Sequence, residues 1–383
     1  MKQVLASRLW REAGARRLGR LLAGRVARAA VRFAAGCGGA TWLLAAAVTA
    51  HAALFDFPTD NRALLDGRGE EFYMYVERDF EGQRTQPWEG GQFGFVRGPQ
   101  KAGEGVIFTS LHEGVDIRPL RRDPAGNPLD DVRAAAGGRV VHASDQAGAS
   151  NYGRYVVVEH TIEGSPIYSL YAHLASLSVA EGQPVRQGDV LGRLGFTGSG
   201  IDRARAHVHF EIALMMSRNF ETWQAAHFAG SPNSHGLYNG LNLCGTDPAA
   251  ILVASAKDPH FRLSRHIAAL DPVFKLTIPH SPDISLLRDY PWLVPDGEPA
   301  SPPAWTISFT GTGFPIRAVA ADAPVAEPRV EWIKASPLAC TQITRGLVGG
   351  TTAAPRLTAS GKRFAALLAI PPSVSPQASP GAE

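Results

Sequence analysis

Four histidines and one aspartate stand at spacings that can do chemistry. His112 and Asp116 lie four apart in Leu111-His112-Glu113-Gly114-Val115-Asp116, and His173 closes Leu170-Tyr171-Ala172-His173. His207 and His209 alternate in Ala206-His207-Val208-His209-Phe210-Glu211. Strand side chains point alternately to opposite faces, so His207 and His209 project from one face of their strand. Two imidazoles and one carboxylate are a common protein contribution to a catalytic zinc, with the fourth position left to water.

Other chemistries fit less well. His112-Glu113 begins like H-E-x-x-H, whose two histidines need helical i, i+4 spacing. Here the fifth residue is Asp116, Gly114 sits inside, and the flanks lack helical periodicity. Ser199 lies between glycines without the G-x-S-x-G pattern of a nucleophile elbow. No C-x-x-C pair, phosphate-binding loop or dinucleotide fingerprint occurs. Asp123, Asn127, Asp130 and Asp131 read as a solvated turn. His142, His160, His227, His235, His260, His266 and His280 are scattered, and each reads as packed or exposed rather than as a ligand.

The elements that must position the five residues are β-rich. Short runs such as Arg139–Val141, Tyr155–Val158, Ile167–Tyr171, Val190–Gly192 and Val208–Ile212 are broken by turn residues about every dozen positions. That pattern predicts an antiparallel sheet, a sandwich or a partial barrel. Tyr155–Val158 is apolar on both faces and should be central in its sheet. Phe72–Val76 also reads as a strand. The chain has 383 residues, 45% of them hydrophobic and 19% charged, with 40 glycines and 28 prolines. Such a composition fills real cores and argues against a helical bundle.

Together these residues resemble the lysostaphin/LytM-type zinc endopeptidases of bacterial cell-wall metabolism. The family pattern is H-x-x-x-D, a tyrosine-rich strand ending in His, then H-x-H, in the order found here. Phe93-Gly94-Phe95-Val96-Arg97, Asn151–His160, Glu181–Asp189 and Gly195–Gly200 match the family's surrounding text, so the likeness covers about residues 93–215. It implies a mainly β, sandwich-like LytM-type domain (a duplicated hybrid motif). It also implies one Zn2+ on His112, Asp116 and His209, with His173 and His207 beside a metal-bound water. The implied reaction is hydrolysis of amide bonds in peptidoglycan peptides. A non-catalytic relative that binds cell wall or activates a hydrolase, and a zinc endopeptidase acting on proteins, are the alternatives. Ile201–Ala206, just before H-x-H, departs from the family: it is longer and carries Arg203 and Arg205.

The rest of the chain supplies context. Residues 1–32 hold nine Lys/Arg against Glu12, or +8; the whole chain is +3, so the other 351 residues carry 3 − 8 = −5. A mildly acidic body offers no footprint for nucleic acid. The basic start, the apolar run Phe33–Leu54 and Ala50-His51-Ala52 predict an export signal over 1–52, which, if uncleaved, would anchor the chain to the membrane. The expected location is the periplasm, the cell envelope or outside the cell. Residues 53–86 read as a lead-in, 87–215 as the zinc peptidase domain and 216–257 as a connector. Residues 258–370 read as a small C-terminal domain of mixed type, with strands near Val273–Ile278 and Trp305–Phe309 and a helix over Ser360–Leu368. The Pro/Ser/Ala-rich 371–383 reads as a disordered tail. Export would let Cys244 and Cys340 form a disulfide.

Overall fold

Alternating apolar side chains build a main antiparallel sheet with two dry faces. The computed structural model describes residues 53–281 and 283–370; the expected export signal and disordered tail lie outside the described residues. A hairpin of β1 (Gly94–Ala102) and β2 (Gly105–His112) leads into the short β3 (Val115–Ile117). Then come β4 (Gly138–Ser144), β5 (Arg154–Ile162), β6 (Ser165–Leu174), β7 (Pro184–Val185), β8 (Val208–Met215) and β9 (Leu243–Thr246). Their order in the sheet is β7-β4-β5-β6-β8-β9, with β3 also paired to β8. The run Tyr155–Val158 lies in β5, between β4 and β6. Its central place explains why it is apolar on both sides.

On one face, Val156, Val158, Tyr171, Phe210 and Ile212 join the main hydrophobic core. On the other, Tyr155, Val157, Leu170 and Ala213 form a smaller cluster. The two sets belong to the same strands and differ only in parity, as the pleat requires. Asp131–Arg133, Ser176–Leu177 and Val190–Arg193 form a separate three-stranded sheet. The fold is mainly β.

β9 lies within the stretch 216–257 and pairs with β8 from Ile212 to Met215. The same stretch holds α1 (Phe220–His227) and α2 (Pro248–Lys257). At the start of α2, Asp247 accepts from the amides of Ala249 and Ala250, and Pro248 takes the first turn. Both features fix a helix start. Beyond it, β10 (Phe274–Pro279), β11 (Ala304–Phe309), β12 (Pro315–Ala320) and β13 (Arg329–Ile333) form a sheet ordered β12-β11-β10-β13. α3 (Ala359–Ala369) buries Ala365, Leu367 and Leu368.

Two expectations need correcting. Phe72–Val76 is not a strand: Gly69–Phe72 is a helical turn, and only Tyr73 bridges to Ile117. Its neighbour β3 is three residues long and offers little edge to extend the pairing. Cys244 and Cys340 are both buried free thiols. The Cys244 Sγ faces the Gly313 carbonyl at 3.4 Å, and burial pushes its thiol up to about 12.

Candidate metal centre

The register of β8 assembles the centre. His209 lies directly across from Asp116 on β3 and from Ala172 on β6. His112 ends β2, and His207 stands just before β8, bridged to Gly195. His173, near the end of β6, has φ +65°, a left-handed conformation that side chains with a Cβ seldom adopt. Strict alternation would send it to the core face with Tyr171. The left-handed backbone redirects it, and its ring stands 4.9 Å from that of His207 and 5.9 Å from that of His209. Strain of this kind concentrates at functional sites. The structure thus brings together all five residues singled out from the sequence, each between 1% and 7% exposed.

Three donor atoms converge. His112 Nε2 is 3.0 Å from Asp116 Oδ1 and 3.1 Å from His209 Nδ1, and His209 Nδ1 is 3.1 Å from Asp116 Oδ1. Tetrahedral donors about 2.0–2.1 Å from a zinc stand about 3.3 Å apart, close to these separations. The outer atoms are already committed. His112 Nδ1 donates to the Gln92 carbonyl at 2.7 Å, and His209 Nε2 donates to Glu211 Oε1 at 2.8 Å. In its neutral form each imidazole therefore turns a lone pair inward, so that two nitrogens and one carboxylate oxygen converge as a metal-ligand set; without a metal, His209 instead keeps a proton shared with Asp116. Anchoring of the outer nitrogen is how metal-binding histidines are held.

Electrostatics separates the histidines. Burial works against charge on Asp116, but the His112 and His207 imidazoles hold its carboxyl well below the ordinary value. Burial likewise opposes protonation of His209, but hydrogen bonds to Asp116 and Glu211 outweigh it and raise the imidazole to about 9. Burial lowers His112. Burial, then the neighbouring His207 and His209, hold His173 well below its ordinary value. His173 is thus neutral. Its Nδ1 donates to the Thr197 carbonyl at 2.9 Å, which leaves Nε2 as the basic atom. His207 is anchored in the same way: Nδ1 donates to the Arg205 carbonyl at 2.6 Å, and Nε2 lies 3.4 Å from Asp116 Oδ1.

Several partners escaped the sequence reading. Arg97 donates to Asp116 Oδ2 at 2.6 Å, which reserves Oδ1 for the centre. Glu211 is fully buried and also accepts from the Tyr152 hydroxyl at 3.0 Å. Its place two residues after His209 on one strand was the available signal. Gln92 and Thr197 act through backbone carbonyls and leave no side-chain signal. His235, read as an ordinary histidine, lines the same cleft and pairs through Nδ1 with the Tyr155 hydroxyl at 2.7 Å. That cleft, about 490 Å³, also takes in Arg205 from the unusual 201–206 loop.

Comparison with known proteins defines the class. The sequence profile of Peptidase family M23 matches residues 110–220. Lipoprotein NlpD of Yersinia enterocolitica is 32% identical over 90 residues, 24% of this chain and 84% of that one. The chain belongs to peptidase family M23, a family of zinc-dependent peptidases. The Lipoprotein NlpD/LppB homolog of Pseudomonas aeruginosa is 37% identical over 103 residues, 27% of this chain. The chain spans only 29% of that relative's length. Among solved structures, the catalytic domain of lysostaphin from Staphylococcus simulans is 22% identical, covers 40% of this chain and 84% of that one, and gives a TM-score of 0.23.

Proposed function

We propose that the chain is an exported zinc metalloendopeptidase that hydrolyses amide bonds in peptidoglycan peptides. The observation that carries this reading is the convergence of His112 Nε2, Asp116 Oδ1 and His209 Nδ1 within 4.8 Å of one another. These three atoms would hold the zinc, which when bound supplies a Lewis acid and lowers the pKa of a bound water to about 7. The protein's own part is proton handling. His173 and His207 each turn Nε2 toward the cleft because each Nδ1–H is tied to a carbonyl. One takes the proton of the attacking water at Nε2 and, once protonated, returns that same proton to the leaving nitrogen; the other, with a proton on Nε2, donates to the developing oxyanion. Arg97 and Glu211 fix the carboxylate and imidazole on which that geometry depends. The envelope location is supported by the leader and by relatives named as lipoproteins. Membrane attachment through 1–52 belongs to the same reading.

Incubation of purified protein with peptidoglycan and with casein, each with and without a chelator, tests it. Release of new amino termini from peptidoglycan alone, abolished by the chelator, is the expected result. Absence of cleavage identifies a non-catalytic wall-binding or activating protein, and cleavage of casein identifies a protein substrate.

A further inference from the structure

The walls of the cleft carry more positive charge than the metal centre needs. Arg97 is committed to Asp116. Two other arginines line the same cavity, Arg205 from the loop before β8 and Arg345 from the C-terminal region. Each has one hydrogen bond, to a backbone carbonyl: Arg205 Nη1 to Gly200 at 3.1 Å, and Arg345 Nη1 to Thr312 at 3.3 Å. Among the described residues neither joins an ion pair, nor does Glu113, the other acidic residue on the wall beside Asp116.

A guanidinium offers five N–H donors, so most of this capacity is unspent. Arg205 Nε is buried with no partner at all. A buried, unmatched donor on a charged group is unfavourable. Arg345 is also held at φ +46°, a left-handed conformation that a side chain with a Cβ seldom adopts. It lies outside the family-matched segment 110–220.

We propose that Arg205 and Arg345 bind a free carboxylate of the substrate peptide and make this centre selective for anionic stem peptides over neutral ones. The planar guanidinium fork matches a carboxylate in paired, charge-assisted hydrogen bonds. The C-terminal region then has a task in the site: it carries one half of the anion clamp. This inference rests on the peptidoglycan-peptide reading above and names the feature of the peptide that the cleft selects.

The test compares a fluorescein-labelled peptidoglycan stem peptide with the same peptide after amidation of its carboxylates. Fluorescence anisotropy with the full chain gives both dissociation constants, and hydrolysis is followed separately. The carboxylate peptide should bind roughly 10–100-fold tighter, by the strength of hydrogen bonds to charged groups. Arg205→Gln and Arg345→Gln should each remove much of that preference while leaving the affinity for the amidated peptide unchanged, which also shows that the variant cleft is intact. Arg345→Lys should keep part of it. Where the carboxylate preference appears without hydrolysis, the clamp stands and the endopeptidase reading falls. Equal binding of the two peptides by the wild type overturns the clamp, whether or not hydrolysis occurs. So does a preference that survives both substitutions.

Discussion

His160 and His209 are both buried in the same sheet, on opposite faces, and their environments push them in opposite directions. His160, on β5, points into the main core against the edge of Phe55, at 5.8 Å between ring centroids. Burial lowers its imidazole to about 4, and its two nitrogens are matched by the Gly137 carbonyl at 2.9 Å and the Ser169 hydroxyl at 2.7 Å. His209 loses as much water but gains two carboxylates, and it rises to about 9. Burial alone therefore does not make a site. The acidic partners do, and they lie on one face only. The same strand shows it again: Phe210, the next residue, belongs wholly to the core.

The contrast predicts sharply different outcomes for neighbouring substitutions. Removal of a donor, His112→Ala or His209→Ala, should abolish both zinc binding and hydrolysis, as read by metal analysis and product release. His207→Ala and His173→Ala should keep the metal and lose about 10²–10⁴ in rate, the usual effect of deleting a proton-transferring group. If His207→Ala loses zinc as fully as His112→Ala, the division of roles is wrong. If it keeps wild-type activity, neither that division nor the catalytic use of this strand survives.

One residue further along, Phe210→Ala should act through stability. Its side chain is fully buried and packs 5.2 Å from the Tyr171 ring. Deletion of such a side chain destabilises by about 3–5 kcal/mol. Urea unfolding should show that loss while the fraction still folded retains stoichiometric zinc. A loss of metal at full stability would mean that the two faces are not separable in this way.

How much of this was legible in the sequence follows from what a residue's identity can signal. His112, Asp116, His173, His207 and His209 stand out because side-chain type and spacing are both written in the chain. β5 stands out because an apolar run without alternation leaves no wet face. The turn that redirects His173 is not written, since a left-handed histidine looks like any other. The carbonyls of Gln92 and Thr197 that orient two imidazoles belong to the backbone and carry no residue signature. β9 follows a glycine- and asparagine-rich stretch that reads as linker, and its pairing depends on β8, 28 residues earlier at the closest register pair, Met215 with Leu243. Phe72–Val76 has strand-forming residues but almost no partner edge. Local propensity yields to the available neighbour there.

The smallest predicted effect isolates the core histidine. His160 ordinarily titrates at 6.5, and in the fold it titrates near 4. Between these values the unfolded chain takes up a proton that the folded chain refuses, so stability falls as the pH drops from about 6.5 to about 4. The full contribution is present above that window. A displacement of this size is worth up to about 3 kcal/mol. His209 is displaced upward, so its contribution changes between pH 6.5 and about 9 and does not overlap. Urea midpoints measured in half-unit steps from pH 7 to 4, with chelator present throughout, should therefore show a slope that His160→Asn reduces. The comparison rests on slope rather than on absolute stability, because the asparagine also changes packing against Phe55. An unchanged slope in His160→Asn would mean that His160 is not held neutral by the core, and the contrast between the two faces would then rest on His209 alone.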